Sequence, residues 1–352
     1  MKKTLLLLLS LLAVMACTQP DRYIQITGQA QGGTYSVKLN VKGVKVAPEA
    51  IRDSVQALLI QIDTTLSGYN KGSLLSHFNA GETIRPNRLF LDTYELAYSW
   101  YERSAGMLDC AAGPLFDAWG FGFREGKLPS DEAVKAILSG SGMGRLQRTL
   151  PVQEDGTLSP ADVLREPGGA LPRLNFNAIA QGYTADIVAA YLYSIGVKDM
   201  LVDIGEIWCD GLNPEGKPWA VGVDRPFDRP SDGTDELGQE LDGIWSGDGD
   251  PCGIVTSGNY RKFYIKDGKK YAHSINPVTG YPAEHNLLSA TIVSLESSAA
   301  ADAVATWCMV VGLEAAKEII LGDDALEGYL IYGTEDGEMA EWASPGFRLT
   351  SN

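Results

Sequence analysis

Residues 297–312, SSAAADAVATWCMVVG, predict a helix that is buried on most of its sides. Small and apolar residues fill nearly the whole stretch, and Ser297 or Ser298 is a suitable N-cap. Asp302 and Thr306 are four residues apart, so they share one face of such a helix. The stretch therefore predicts a helix with a carboxylate and a hydroxyl pointing in the same direction.

The Asp302–Thr306 pair is a candidate metal site. Carboxylate and hydroxyl oxygens are hard donors, which suit Mg²⁺ or Ca²⁺ and not zinc. An unpaired buried carboxylate is costly, and a bound cation would remove that cost. Alternatively, Asp302 only helps to cap the helix and Thr306 has no special role.

The chain around this helix predicts an α+β fold. Helices are predicted over residues 47–67, 88–106, 130–140 and 313–322, and strands over residues 23–41, 199–211, 219–224, 252–258, 261–275, 287–295 and 327–333. A loop is predicted over residues 66–79, and residues 108–122 have too many glycines for a regular element. A solvated insertion is predicted over the acidic residues 226–250. The sum is a mixed, largely antiparallel sheet with packed helices.

Residues 174–196 predict a strand, a turn and a helix in succession. The turn carries Asn175, Ala178, Gln181 and Gly182. Free backbone amides at the start of a helix can hold a phosphate, although a plain strand-to-helix connection is also compatible with the pattern. The GSGMG stretch at 140–144 is different, because it follows a helix, whereas a dinucleotide-binding loop follows a strand.

The N-terminus predicts an exported lipoprotein. Two lysines precede an apolar run of about a dozen residues, too short to span a bilayer as a helix. Residues 14–17, VMAC, resemble a lipobox, which makes Cys17 the expected lipidation site; an ordinary cleaved signal is the alternative. Removal of residues 1–16 takes two positive charges from a net charge of −16, leaving −18. A body this acidic argues against nucleic acid and anionic lipid heads as partners.

Cysteine chemistry is not expected to be the function. The four cysteines after Cys17 form no CxxC pair and have no zinc-ligand spacing. In an exported protein Cys209 and Cys252 could pair, and the sequence leaves this open.

Eight ordered stretches resemble the ApbE-type FAD:protein FMN transferases. They are QGGTYSV, LSGYNKGSLLSHFN, AAGPLFDAWGFG, NAIAQGYTADIVAAYL, LVDIGEI, IVTSGNYRKFY, HSINPVTGYP and the DAVAT helix start, and they extend from Gln31 to about Gly312. The resemblance implies a signal peptide at 1–16, a tether at 17–22 and one two-lobed domain with a flavin cleft at 23–352. It also implies a lipid-anchored enzyme that faces the periplasm.

The resemblance also implies roles for individual residues. The metal ligands would be the side chains of Asp302 and Thr306 and the carbonyl of Ala178. The FAD contacts would be Gln31, Tyr69, Trp119, Gly120, Phe121, Asn175, Gln181 and Ile275. His273 would lie near the reacting diphosphate or the incoming hydroxyl. Asn175 and Gln181 replace residues that are commonly charged in the family, but amide side chains still donate and accept hydrogen bonds.

The activity implied is Mg²⁺-dependent transfer of FMN from FAD to a Thr or Ser hydroxyl of a partner protein, with release of AMP. The partner would be a membrane redox subunit. His273 or Asp302 would accept the proton of the hydroxyl, and His273 is favoured because a carboxylate bound to Mg²⁺ is a poorer base. Two alternatives are hydrolysis of FAD to FMN and AMP, and a lipid-anchored flavin-binding protein without catalysis.

Overall fold

The computed structural model describes residues 22–121, 128–226, 241–259, 263–266, 269–272 and 274–351. Every strand pair within these ranges is antiparallel, which confirms the α+β fold with a largely antiparallel sheet. No helix in the same ranges has both the length and the apolar character to cross a membrane. The predicted signal peptide and Cys17 lie outside the described residues.

Thirteen strands and eight α-helices make up the described part of the chain. The strands are β1 (Tyr23–Ala30), β2 (Gly33–Asn40), β3 (Met200–Asp203), β4 (Ile207–Asp210), β5 (Ala220–Asp224), β6 (Leu241–Ser246), β7 (Cys252–Gly258), β8 (Phe263–Lys266), β9 (Lys269–Ala272), β10 (Leu287–Ser294), β11 (Leu326–Gly333), β12 (Met339–Ala343) and β13 (Leu349–Ser351). The helices are α1 (Pro48–Leu66), α2 (Leu74–Asn79), α3 (Arg88–Arg103), α4 (Gly113–Ala118), α5 (Asp131–Gly140), α6 (Ala180–Ser194), α7 (Ser298–Val311) and α8 (Leu313–Leu321).

The main sheet has eight strands in the order β1-β2-β3-β4-β7-β10-β11-β12. Its first hairpin turns at Gln31 and Gly32, whose φ angles are 51° and 83°. Two consecutive positive φ angles are typical of a type I′ turn, the turn that matches the twist of a β-hairpin. The predicted strand pair is therefore confirmed, and its turn places Gln31 at the tip.

Helices cover one face of the main sheet. Helix α7 packs on β7, β10 and α6, and its small side chains allow this close contact. The largest apolar core lies between these helices and the sheet, and its largest fully buried members are Phe78, Phe90, Tyr94, Tyr98 and Phe176. The predicted burial of the 297–312 helix is confirmed, and its N-cap is Ser297, whose hydroxyl accepts from the Ala300 amide at 2.9 Å.

A three-stranded sheet in the order β13-β6-β5 lies on the other side of the main sheet. Trp219 and Trp245 from this layer pack with Ile254 and Tyr329 of the main sheet, and all four are nearly inaccessible. The main sheet is thus covered on both faces, and consecutive residues of β7 and β10 are accordingly buried.

Part of the predicted acidic insertion is wrong, because residues 241–246 form strand β6. Trp245 is only 3% exposed, and Gly243 is buried on the same side of the strand, while Ile244 between them faces outward. The overall acidity of the stretch hid this alternation. Residues 227–240 lie outside the described ranges, so the rest of the predicted insertion stays a prediction.

Three further sequence predictions need correction. The segments predicted to lack regular structure contain the short helices α2 and α4; α2 is capped by Ser73, whose hydroxyl accepts from the Ser76 amide at 2.9 Å. The strand predicted at the start of 174–196 does not form, because the side chain of Asn79 takes both backbone hydrogen bonds of Leu174. The Leu174 amide donates to Asn79 Oδ1 at 2.7 Å, and the Leu174 carbonyl accepts from Asn79 Nδ2 at 2.8 Å. Strand β11 is not the last strand, since β12 and β13 follow it.

Candidate active site

The start of helix α7 is pressed between helix α6 and strand β7. A Cβ atom added to Gly182 of α6 would lie 2.3 Å from the carbonyl oxygen of Ser298, and one added to Gly253 of β7 would lie 2.4 Å from the Ser298 Cα. Real side chains do not tolerate such contacts. Glycine at both positions therefore allows the three backbones to meet.

Asp186 fixes this junction. Its two carboxylate oxygens accept from the amides of Ser298 and Ala299 at 2.8 and 2.9 Å, so a side chain from α6 caps the first turn of α7. Burial raises the pKa of Asp186 to about 6, although the two backbone hydrogen bonds oppose the rise. Sequence reasoning missed this residue. The available signal was its position four residues after Gly182, which puts the close approach and the cap on one face of α6.

Asp302 lies one turn into α7 and is only 4% exposed. Its Oδ2 accepts from the amide of Gly182 at 3.0 Å. None of the ion pairs within the described ranges includes Asp302. Burial, and secondarily the neighbouring charge of Asp186, raise the pKa of Asp302 to about 7, while the hydrogen bond from Gly182 lowers it. This carboxylate has one backbone donor, which falls well short of satisfying an ionised group.

The carbonyl of Ala178 lies at the same junction. In a regular helix the Gly182 amide would donate to the carbonyl four residues earlier, which is that of Ala178. Here it donates to Asp302, and the backbone hydrogen bonds found among the described residues include none to the Ala178 carbonyl. Gly182 is only the third residue of α6, so its amide lies in the first turn, where amides have no partner within the helix. The Asp302 carboxylate thus caps α6, next to a carbonyl that accepts no backbone hydrogen bond from the described residues. Thr306 is half-buried on the same face of α7 as Asp302, about 6 Å further along the helix axis.

These oxygen donors fit a hard divalent cation. Mg²⁺ prefers carboxylate, carbonyl and hydroxyl oxygens and usually takes its remaining ligands from water and substrate phosphates. No group of three His, Cys, Asp or Glu side chains able to hold a metal occurs in the described part of the chain. A cation bound here would therefore depend on the single carboxylate of Asp302 together with neutral oxygens.

Trp119 and Ile275 belong to one apolar cluster, although they are far apart in sequence. Trp119 is 6% exposed, and its indole Nε1 donates to the carbonyl of Gly280 at 2.7 Å. Ile275 is 1% exposed and packs in the same cluster, which Phe121 borders. The predicted FAD-contact segments 119–121 and 274–282 are thus brought together, while Tyr69 lies outside this cluster and is 66% exposed.

The loop at 274–283 is held in one conformation. The side-chain oxygen of Asn276 accepts from the amides of Val278 and Thr279 at 2.9 and 3.1 Å, and its carbonyl accepts from the Gly280 amide at 2.8 Å. Gly280 has a φ of 81°, and a Cβ there would lie 2.6 Å from Val134 of α5. The loop can therefore serve as a preformed wall. His273, which precedes it, lies outside the described residues, so its predicted role stays a prediction.

Gln31 and Gln181 surround the first turns of α6. Gln31 Nε2 donates to the hydroxyl of Thr184 at 2.5 Å, and its Oε1 is buried with no hydrogen-bond partner among the described residues. Gln181 Nε2 donates to the carbonyl of Ile204 at 3.3 Å. Both amides thus lie beside the Gly182 junction, where they could hydrogen-bond a polar ligand.

Asn175 makes local hydrogen bonds just before α6. Its backbone amide donates to the carbonyl of Cys110 at 2.7 Å, and its side-chain oxygen accepts from the backbone amide of Asn177 at 3.0 Å.

Asp109, the neighbour of Cys110, was missed by sequence reasoning. Its carboxylate accepts from the Met143 amide at 3.0 Å, and burial raises its pKa to about 6. Asp109 thereby fixes the segment that leads into α4 and Trp119.

Comparisons with known proteins define the class of this chain. The profile of the ApbE family matches residues 31–330. A curated FAD:protein FMN transferase from Vibrio cholerae is 31% identical over 357 residues, with 99% of this chain and 98% of the relative covered. The curated FAD:protein FMN transferase from Escherichia coli K12 is 30% identical, with 88% and 85% covered.

Solved structures agree with the sequence matches. The flavin transferase ApbE from Vibrio cholerae has a TM-score of 0.73 at 29% identity, covering 93% of this chain and 98% of that one. The flavinyl transferase ApbE from Pseudomonas stutzeri, in its apo form, has a TM-score of 0.75 at 28% identity, covering 94% and 96%. The chain belongs to the ApbE family.

Proposed function

We propose that this chain transfers FMN from FAD to a Thr or Ser hydroxyl of a partner protein, releases AMP and requires Mg²⁺. The relatives that match nearly the whole chain are flavin transferases, and this chain is accordingly a flavin transferase. The acceptor residue type, the metal and the partner, a membrane redox subunit, are the proposed part. The observation that carries the proposal is the Asp302 carboxylate. It is buried with a single backbone donor, beside the Ala178 carbonyl, which accepts no backbone hydrogen bond from the described residues.

The metal would be held by Asp302, Thr306 and the carbonyl of Ala178. When bound there, Mg²⁺ would neutralise negative charge on the FAD diphosphate, which matters in a protein with a net charge of −16. The oxygen donors described above support this assignment. Burial raises the pKa of the Asp302 carboxyl to about 7, and a cation bound beside it would favour its charged form.

The flavin would lie against the cluster of Trp119, Phe121 and Ile275. The hydrogen bond from Trp119 to Gly280 supports this, because it ties two segments of the wall together before FAD arrives. The amides of Gln31, Asn175 and Gln181 would hydrogen-bond polar groups of FAD. Gly120 would allow the chain to turn after Trp119, since its φ is 82°. The exposed ring of Tyr69 would cover the flavin from the loop between α1 and α2.

In the proposed reaction, the acceptor oxygen attacks the phosphorus on the riboflavin side of FAD. A new O–P bond forms, the bridging P–O bond of the diphosphate breaks, and AMP leaves with the bond electrons. The hydroxyl proton passes to a general base. We assign that role to His273 over Asp302, because the proposed cation ligation makes the Asp302 carboxylate a weaker base.

Mass spectrometry of an acceptor protein after incubation with FAD and Mg²⁺ tests the proposal. We expect one Thr or Ser peptide to gain the mass of FMN less water, with one AMP released per modified acceptor. Free FMN and AMP without a modified peptide would show hydrolysis instead. FAD binding without AMP release on addition of Mg²⁺ would show a non-catalytic flavin-binding protein. Either result would overturn the proposed transfer.

We also propose export and lipidation at Cys17, with the protein anchored to a bacterial membrane and facing the periplasm. The charged-then-apolar leader and the VMAC stretch support this. Intact mass spectrometry of the N-terminal peptide from the membrane fraction should find Cys17 acylated and residues 1–16 removed. A Cys17→Ala variant should leave the membrane fraction. An unmodified Cys17 in the mature protein would rule out the anchor.

A further inference from the structure

Two thiols face each other across the centre of the main sheet. Cys209 of β4 and Cys252 of β7 are directly paired residues on antiparallel strands, and their sulfur atoms are 3.7 Å apart. Both are buried, at 2% and 3% exposed, on the face covered by Trp219 and Trp245. The other two cysteines of the described chain, Cys110 and Cys308, lie in the core on the opposite face.

This pair lies at the weakest connection of the sheet. Strands β4 and β7 share three paired positions, whereas each other pair of neighbours in the main sheet shares four to eight. The β4–β7 pairing is also what joins β1–β4 to β7–β12. A covalent link here would reinforce the shortest pairing in the sheet.

We propose that Cys209 and Cys252 form a cross-strand disulfide in the mature protein. Directly opposed residues of an antiparallel pair have Cα atoms about 4.5–5.5 Å apart, which lies within the range that disulfides span, about 4.4–6.8 Å. The sulfur atoms must approach from 3.7 Å to about 2.05 Å, a movement that small changes of the side-chain dihedrals can supply.

The chemistry is a thiol–disulfide exchange. The two thiols lose two protons and two electrons, and the disulfide of a thiol–disulfide oxidoreductase, or oxidised glutathione, takes them up and becomes two thiols. Such oxidants act in the periplasm, so formation in the cell depends on the proposed export and not on flavin transfer. The contact with Cys252 and burial raise the pKa of the Cys209 thiol well above its ordinary value. The folded thiols therefore react slowly, and the bond forms while the chain is folding.

The link would also affect the candidate site. Gly253 follows Cys252 and lies directly beneath Ser298, the first residue of α7. Fixing β7 to β4 would hold the strand that supports the helix carrying Asp302. It would also close a loop of about 43 residues that contains β5 and β6, and closing a loop restricts the unfolded chain.

The test is to trap free thiols with an alkylating reagent in denaturant, without reductant, and to map the peptides by mass spectrometry. The sample is the full chain, both isolated from exporting cells and refolded with oxidised and reduced glutathione. We expect a Cys209–Cys252 linked peptide, 2 Da lighter than the two thiol peptides, and alkylated Cys110 and Cys308. Alkylation of both Cys209 and Cys252 in the two samples, or a different linkage, would overturn the proposal.

Thermal unfolding with and without dithiothreitol gives a second measurement. Reduction should lower the Tm of the oxidised protein by roughly 5 °C. Cys209→Ala should be insensitive to the reductant, whereas the matched control Cys308→Ala should keep the full shift. A Tm that reductant does not change in the wild-type protein would also contradict the proposal. These assays use no FAD, so their outcome is independent of the proposed activity.

Discussion

Replacing Asp302 with Asn should change the activity and the stability of the metal-free protein in opposite directions. Asparagine has nearly the same shape, and its side-chain oxygen can still accept the hydrogen bond from Gly182 that the structure shows at 3.0 Å. What the substitution removes is the negative charge. It therefore separates the cost of burying that charge from its use in binding a cation.

The stability effect follows from the pKa of Asp302, which burial raises from 3.8 to about 7. Between pH 4 and 7 the folded state binds more protons at this carboxyl than the unfolded state does. The free energy of unfolding therefore falls as the pH rises through that window, and above pH 7 the loss is complete. A difference of about three pH units corresponds to an upper limit of about 4 kcal/mol. Asparagine does not titrate, so the variant should be more stable than the wild type at pH 8 in EDTA. At pH 5, where the wild-type carboxyl is mostly protonated in the folded state, this difference should be much smaller.

Activity and metal response should change the other way. Loss of the only carboxylate in the proposed ligand set should slow flavin transfer by about 100-fold or more, equivalent to roughly 3 kcal/mol of transition-state stabilisation. Mg²⁺ should raise the Tm of the wild type at pH 8, because a cation bound only by the folded state stabilises it, and should leave Asp302→Asn unchanged. Tryptophan fluorescence during heating and the acceptor mass assay measure the two effects.

The matched control is Asp186→Asn, at the other buried carboxylate of the junction. Asp186 accepts two backbone amides from α7, and an asparagine keeps only one acceptor oxygen. This variant should be less stable than the wild type and should keep its response to Mg²⁺. An Asp302→Asn protein that is less stable than the wild type at pH 8 in EDTA, or that Mg²⁺ stabilises equally, would refute the reasoning.

Three further substitutions test the rest of the site. Gly182→Ala places a Cβ 2.3 Å from the Ser298 carbonyl, so urea unfolding should show a loss of about 2 kcal/mol or more. Trp119→Phe removes the hydrogen bond to Gly280, which contributes about 1 kcal/mol to holding the two sides of the proposed flavin site together. FAD titration by fluorescence should therefore show an affinity about 5-fold weaker. Thr306→Val keeps the shape but removes the hydroxyl, so the Mg²⁺ concentration for half-maximal transfer should rise about 10-fold.

Each of these substitutions has a control or a contrary outcome. Gly33→Ala introduces a Cβ with no atom within 4 Å and should cost much less than Gly182→Ala. Equal losses would mean that the close approach at α7 is unimportant. A Trp119→Phe protein with unchanged FAD affinity would place the flavin elsewhere. An unchanged Mg²⁺ requirement in Thr306→Val would remove Thr306 from the proposed ligand set.

Local sequence signals were sufficient for most elements of the fold. Apolar spacing predicted α1 and α3, and Ser297 was one of the two caps predicted for α7, because a cap depends only on the next three residues. The strands of the core were found for a similar reason, since β7 and β10 are short stretches rich in small, apolar and β-branched residues between turn signals. These features are decided by neighbours along the chain.

Features decided by distant partners were missed. Residues 174–176 have the composition of a strand, but the side chain of Asn79, 95 residues away, bonds to their backbone and excludes a neighbouring strand. Strand β6 exists because Trp245 fills the second core, a requirement that its acidic surroundings conceal. Trp119 and Ile275 could be placed in one site only by family resemblance, since nothing local relates them.

The two carboxylates of the α6–α7 junction differ in how far the protein itself satisfies them. Asp186 has two amides at the N-terminus of α7, where the helix dipole also favours negative charge. Asp302 is buried within α7 and has one amide, that of Gly182 in the first turn of α6. Both carboxylates thus accept from a helix N-terminus, and they differ in the number of amides, which is two for Asp186 and one for Asp302. At the proposed metal site, a divalent ion would satisfy both the Asp302 carboxylate and the neighbouring carbonyl of Ala178.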